Sequence, residues 1–264
     1  MNPIILAIIV VGAIGLISGL VLAVASIIMA VKENEKVSIL CAELPGANCG
    51  ACGFSGCDGY AEALANGEAN PGLCTPGGAD VNNRLGEILG VNVIIEKPKA
   101  AVVLCNGTHD NVDNKMFYSG VQTCNAVNKF YNGTKFCSYA CLGLGDCVKV
   151  CQYGAIEVKN GRAYIDKSKC TACGACVKTC PKGIIELLPT DMKEIVICSN
   201  RDKGAVARKA CKVACIACGK CVKACEYDAV VVENNLSRIN PEKCVRCGAC
   251  VEACPTKCIQ IIEN

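Results

Sequence analysis

Tryptophan is absent from this chain, and phenylalanine and tyrosine together supply only 4% of it. Units of about 55 residues with so few large side chains can hardly bury enough apolar surface to fold unaided. Histidine occurs once, as His109 in a stretch rich in Asn, Gly and Lys. A polar loop position there favours a solvated side chain, and no partner for acid–base chemistry stands beside it. No Gly-x-Gly-x-x-Gly opens a helix and no P-loop is present, so nicotinamide and flavin binding must belong elsewhere. The net charge of +3, with no basic run interleaved by aromatics, carries no nucleic-acid signature. Charge is missing altogether from Ile4 through Val31.

What the chain has instead is cysteine, 26 in 264 residues. Two stretches read C-x2-C-x2-C-x3-C-P: Cys170, Cys173, Cys176, Cys180 and Pro181, then Cys244, Cys247, Cys250, Cys254 and Pro255. This is the bacterial ferredoxin run, in which three close cysteines hold one [4Fe–4S] cluster and the fourth ligates its neighbour. Zinc needs only two C-x2-C pairs and gains nothing from the third cysteine, and a disulfide framework does not need the rhythm. The cysteines therefore point to electron transfer in a reducing compartment. Clusters replace much of the missing core, so the iron-free protein should be largely unfolded.

The uncharged stretch exceeds the roughly 20 residues that a bilayer core demands and is expected to cross the membrane. A cleaved signal peptide with Ala23-Val24-Ala25 as its site is the competing reading, opposed by the lack of a preceding basic residue and by the length. Lys32 and Lys36 follow the stretch, which places the rest of the chain on the cytoplasmic side of the inner membrane as a single-pass protein. Gly15 and Gly19 form G-x-x-x-G, either a surface for another membrane helix or the ordinary glycine content of such helices.

Next comes LPGANCGACGFSGC, with Cys49, Cys52, Cys57 and later Cys74 as a four-cysteine set among glycines that let the backbone wrap closely around a cluster. Zinc remains open here, because this spacing is less diagnostic. Asp58 to Asn66 reads as a helix, and Val91–Ile95 and Ala100–Leu104 read as short buried strands. The remainder is a tandem repeat: Cys137-x3-Cys141-x5-Cys147-x3-Cys151 aligns with Cys211-x3-Cys215-x5-Cys221-x3-Cys225, each followed by an apolar strand and one ferredoxin run. The second copy has Cys218 where the first has Leu144, so Cys137 is expected to supply the missing ligand in the first copy.

Carrying the interlocked ferredoxin pattern across gives Cys137, Cys141, Cys147 and Cys180 as one set, and Cys151, Cys170, Cys173 and Cys176 as its partner. The second unit gives Cys215, Cys218, Cys221 and Cys254, then Cys225, Cys244, Cys247 and Cys250. With the N-terminal set this makes five [4Fe–4S] clusters. Cys41, Cys105, Cys124, Cys198, Cys211 and Cys258 remain, each expected to be a small buried hydrophobe in preference to the alternative, a further ligand. Two symmetries run among them: Cys105 and Cys198 end similar strands, VVLC and IVIC, and Cys124 matches Cys198 in its x12 distance to the next cysteine. The fold expected is α+β: a transmembrane helix (1–31), a cysteine-rich [4Fe–4S] domain (32–95), a connector with short strands and a loop (96–136), a ferredoxin-like 2[4Fe–4S] domain (137–188), a second connector (189–210) and a second ferredoxin-like domain (211–264).

An apolar N-terminal helix, the LPGANCGACGFSGC domain ending in Cys74-Thr75-Pro76-Gly77-Gly78, and ferredoxin units closing with CPTKCI resemble, in that order, the B subunit of the Rnf complex. The resemblance covers nearly the whole length, and the order of the modules is its most specific part, since ferredoxin runs alone occur in many redox proteins. It implies a membrane-bound ferredoxin:NAD oxidoreductase that couples electron flow to sodium or proton translocation. In such a complex this chain takes electrons from reduced ferredoxin and passes them to membrane and flavin-bearing subunits. The first ferredoxin unit departs from the pattern, with C-x3-C-x5-C in place of C-x2-C-x2-C and Gln152 in place of the usual proline. Two other readings stay open: an anchored electron-transfer subunit of a hydrogenase or formate complex, and a redox sensor or partner-recruiting protein whose N-terminal domain resembles that of corrinoid iron–sulfur proteins.

Overall fold

The computed structural model describes residues 3–28, 34–93 and 97–262. Helix α1 (Pro3–Ile28) carries no acidic or basic side chain, and its 26 residues extend about 39 Å at about 1.5 Å per residue. The side chains described along it face outward, Leu16 and Leu22 among them. Those at 6–8, 10, 27 and 28 are outside the described residues, and among the described residues no helix is long and apolar enough to cross a membrane. The transmembrane expectation for 1–31 is therefore not supported by the structure as it stands, and Lys32, half of the sidedness argument, lies outside the described residues.

The N-terminal domain is a three-helix cap. Asn34 accepts a hydrogen bond from the Lys36 amide and so starts α2 (Glu35–Glu43). Helix α2 lies on α3 (Cys57–Ala65) and α4 (Gly78–Leu89), and Leu40, Tyr60, Leu64 and Leu85 meet in one small core. Each such side chain contributes about 1.5–3 kcal/mol of burial, so this core is thin. The expected helix over 58–66 is present as α3; α4 was not foreseen. It ends where Gly90, at φ 71°, lets the Val91 amide reach back to the Gly86 carbonyl. This cap uses residues expected to form a strand: Val91 is exposed, 91–93 are not extended into a sheet, and Ile94 and Ile95 lie outside the described residues.

Two ferredoxin-like units follow, each of two small antiparallel sheets. In the first, β1 (Lys99–Val103) is followed by α5 (Cys124–Tyr131), α6 (Asp146–Lys149), the hairpin β2 (Ile156–Lys159) and β3 (Arg162–Ile165), α7 (Ala175–Thr179) and β4 (Ile185–Pro189). The second has β5 (Glu194–Val196), α8 (Gly204–Ala210), α9 (Lys220–Lys223), the hairpin β6 (Val230–Glu233) and β7 (Leu236–Ile239), α10 (Ala249–Glu252) and β8 (Ile259–Ile261). Asn160-Gly161 and Asn234-Asn235 turn the hairpins with both residues at positive φ, the left-handed pair that matches strand twist. Strand β1 pairs with β4, Val103 opposite Ile185, and β5 pairs with β8, Val196 opposite Ile259. Strands from both expected connectors thus complete the sheets of the two units. Helix α5, in a stretch read as surface loop, is capped by the Thr123 hydroxyl, which accepts from the Ala126 amide.

Strand alternation joins the units. Ala101, Val103 and Cys105 share one core with Val196 and Cys198, whereas Val102 and Leu104 turn the other way, onto Ile195 and Ile197. A period of two decides this: it sends the strand-end cysteines inward on the same face as Val103 and Val196.

Candidate iron–sulfur centres

Helices α6, α7, α9 and α10 each begin after a glycine in the left-handed conformation, at Gly145, Gly174, Gly219 and Gly248. Two residues later stands a buried cysteine: Cys147, Cys176, Cys221 and Cys250. The glycine lets the loop close, and the helix turn holds the thiol inward.

Four cavities follow this repeat. Cys151, Cys170, Cys173 and Cys176 line one of about 330 Å³. Cys215, Cys218, Cys221 and Cys254 line one of about 300 Å³, and Cys225, Cys244, Cys247 and Cys250 one of about 310 Å³. These three quartets are the groupings read from the sequence. In the remaining cavity, of about 410 Å³, Cys141, Cys147 and Cys180 are joined by Cys124. Cys137, expected in this set, does not line it. The reason is the unforeseen α5: its first residue is Cys124, and Asp146 accepts from the Asn125 amide at 3.0 Å, drawing that helix end onto the α6 turn. Cys124 thereby fills the place that Cys218 fills in the second unit.

In the N-terminal domain the loop around Cys49, Cys52 and Cys57 turns at Gly50 and Gly53, both at positive φ. The Asn48 side chain accepts from the Cys57 amide at 2.7 Å. Cys74 returns because Tyr60 pins the intervening turn, donating to the Asn70 carbonyl and accepting from the Leu73 amide. Burial pushes the Cys74 thiol up, with Cys57, Cys49 and Cys52 adding to the effect, so the four form one electrostatic group.

The same upward push holds elsewhere. Burial, then neighbouring thiols, raises Cys147 to about 12, and Cys176 and Cys250 to about 11. Such thiols are neutral at physiological pH, and only a bound cation makes them thiolates. Among the described residues no group of three or more His, Cys, Asp or Glu is placed to hold a metal ion directly. Four cysteines lining one cavity match the four irons of a cubane. Backbone donors reach the sulfurs as well: Ala101 N–H to Cys170 Sγ at 3.4 Å and Ser237 N–H to Cys215 Sγ at 3.5 Å.

Two surplus cysteines are not in quartets. Cys41 donates to Asp58 at 2.9 Å and is raised to about 11, that hydrogen bond being the main cause. Cys258 lies 3.5 Å from Cys254 and also lines the cavity of Cys215, Cys218, Cys221 and Cys254; hydrogen bonding with Cys258 lowers Cys254 to about 4, and hydrogen bonds with Cys215 and Cys254 push the Cys258 thiol up. The other three, Cys105, Cys198 and Cys211, line a fifth cavity together with Cys137. All three are buried in the core, as expected of small hydrophobes. The matching strand ends VVLC and IVIC were the signal for the shared cavity; the x12 match between Cys124 and Cys198 has no counterpart in the structure. His109 is exposed and stands in no quartet.

Comparison with known proteins agrees with this arrangement. Family models for iron–sulfur domains match along the chain: FeS over residues 44–76, a 4Fe-4S dicluster domain over 140–184, and 4Fe-4S binding domains over 213–228 and 237–260. The chain is 43% identical over 98% of its length, and 78% of the relative's, to the B subunit of the Na(+)-translocating ferredoxin:NAD(+) oxidoreductase complex of Acetobacterium woodii. It is 43% identical over 91% of its length, and 85% of the relative's, to the B subunit of the proton-translocating ferredoxin:NAD(+) oxidoreductase complex of Clostridium ljungdahlii. To the B subunit of the ion-translocating oxidoreductase complex of Methanosarcina acetivorans it is 37% identical over 96% of both chains. With that identity spread across nearly the whole length, and cysteine-lined cavities where the 4Fe-4S models match, the chain belongs to the Rnf B-subunit family of ion-translocating ferredoxin:NAD(+) oxidoreductase complexes.

Proposed function

We propose that the chain is the membrane-anchored iron–sulfur subunit that accepts electrons from reduced ferredoxin and passes them to membrane and flavin-bearing partners of an ion-translocating ferredoxin:NAD oxidoreductase. The observation that carries this is the series of cysteine quartets, four of which line cavities of about 410, 330, 300 and 310 Å³. Five sets hold [4Fe–4S] clusters: Cys49, Cys52, Cys57 and Cys74; Cys151, Cys170, Cys173 and Cys176; Cys124, Cys141, Cys147 and Cys180; Cys215, Cys218, Cys221 and Cys254; and Cys225, Cys244, Cys247 and Cys250. A bound cluster supplies one-electron transfer and no bond chemistry. The chain's residues hold thiolates, exclude water and direct N–H groups at sulfur, which tunes the potential.

Helix α1 is the anchor in this reading, with its exposed apolar side chains covered by lipid and the cluster domains on the cytoplasmic side. Arg201, Lys203, Arg208, Lys209, Lys212, Lys220 and Lys223 are all exposed on the second unit, with Asp202 the one acid among them. This face suits an acidic donor.

The test is purification of the complex from membranes. Copurifying flavin and several membrane subunits, with ferredoxin-dependent NAD reduction, support the proposal. Copurifying nickel or cobalamin in place of flavin would sink it.

A further inference from the structure

We infer that the chain holds a sixth [4Fe–4S] cluster between its two ferredoxin units, on Cys105, Cys137, Cys198 and Cys211. This goes beyond the five sets above and rests on the same reading of the quartets. The four cysteines line a cavity of about 290 Å³, close to the 300, 310 and 330 Å³ of the three quartets foreseen from the ferredoxin repeat. All four are buried.

Each unit contributes two of them by the same construction. Cys105 follows β1 and Cys198 follows β5, while Cys137 and Cys211 open the two repeats. The sulfurs are approached in matching ways: Cys105 Sγ accepts from the Gly107 and Cys141 amides, both at 3.3 Å. Cys198 Sγ accepts from the Asn200 and Cys215 amides, at 3.5 and 3.3 Å. Asn200 also donates through its side chain to Cys137 Sγ at 3.4 Å. Amides aimed at sulfur are what a ligating thiolate needs and what a merely space-filling cysteine does not.

Lys135 is 2% exposed and donates to the carbonyls of Gly107 and Gly161, both at 2.7 Å, which ties the Gly107 edge of the cavity to the turn between β2 and β3.

The position completes a line. Thr75, next to Cys74 of the N-terminal domain, donates to the carbonyl of Ala172, next to Cys173 of the first unit, at 3.4 Å. Helices α6 and α7, which carry Cys147 and Cys176, pack together, as do α9 and α10, which carry Cys221 and Cys250. The inferred site touches the first unit through Cys141 and the second through Cys215. One electron enters from a reduced cluster on one side, oxidising it, and leaves to the cluster on the other, with no proton or group transferred.

The test is metal and sulfide analysis of the anaerobically purified full-length chain with its anchor. Wild type should contain about 24 iron and 24 sulfide per chain, and the double variant Cys105→Ala/Cys198→Ala about 20 of each, with its other clusters intact by visible absorption. A wild type at about 20 that the double variant leaves unchanged overturns the inference, as does about one zinc per chain lost in the variant. If the double variant does not fold, Cys211→Ser is read by the same criterion. Cys221→Ala separates the two readings: its failure to lose iron would count against the five sets themselves, whatever the double variant shows.

Discussion

The backbone amide of Cys141 donates to the sulfur of Cys105 across 3.3 Å, joining a cysteine that lines one ferredoxin cavity to a cysteine of the seam between the two units. Cys215 and Cys198 repeat the relationship at the same distance. The two units are therefore in register about a shared centre, and cysteines that resemble packing in sequence line a cavity in space.

Replacing Cys124 by Ala should remove about four iron, those held with Cys141, Cys147 and Cys180. Replacing Cys137 by Ala should leave that set in place and deplete the seam site. Because the total falls equally in both, electron paramagnetic resonance of each reduced variant is the deciding measurement. Identical residual spectra would return Cys137 to the first-unit cavity.

Iron should substitute for core. Stripping the protein with an oxidant and a chelator should abolish most of its far-ultraviolet circular dichroism, because the remaining apolar clusters are small. Cys176→Ala should lose one cluster and lower the thermal midpoint by more than about 5 °C through the shared sheet of its unit. A variant that loses iron and melts unchanged would show that the protein core is sufficient.

Deleting residues 1–31 should release a soluble brown protein that still accepts electrons but no longer supports the membrane-coupled reaction. In the intact system, protease should spare the cluster domains in sealed cells and digest them in inverted vesicles. The reverse pattern would overturn the orientation.

Arg208 and Lys209 are exposed near the end of α8. Reversing both to Glu should slow ferredoxin oxidation about tenfold at low salt while leaving reduction by an uncharged dye unchanged. The difference should shrink as ionic strength rises, since exposed charges are screened over about 10 Å at 0.1 M. Equal rates at low salt would place the donor elsewhere.

Much of the candidate site was legible because ferredoxin ligands are local. In Cys170 to Cys176 and Cys244 to Cys250, three cysteines sit within one loop and turn, so spacing alone brings them together, and each trio lines one cavity. The fourth ligand in each case comes from the other half of a repeat, and symmetry was enough to find it. Helices α4 and α5 were not legible: α4 is capped by residues that look like a strand, and α5 lies in a segment dominated by Asn, Gly and Lys.

The amino-acid sequence by itself determined the chemistry and the module order: local cysteine rhythm selects a cubane, the glycines before each third cysteine let its loop close, and the uncharged residues within Pro3–Ile28 form helix α1. Only tertiary structure decided which cysteine completes the first unit and which four meet at the seam. Cys105 and Cys198 are separated by a whole ferredoxin unit, and it is strand pairing, with its period of two, that turns both of them inward toward the same cavity.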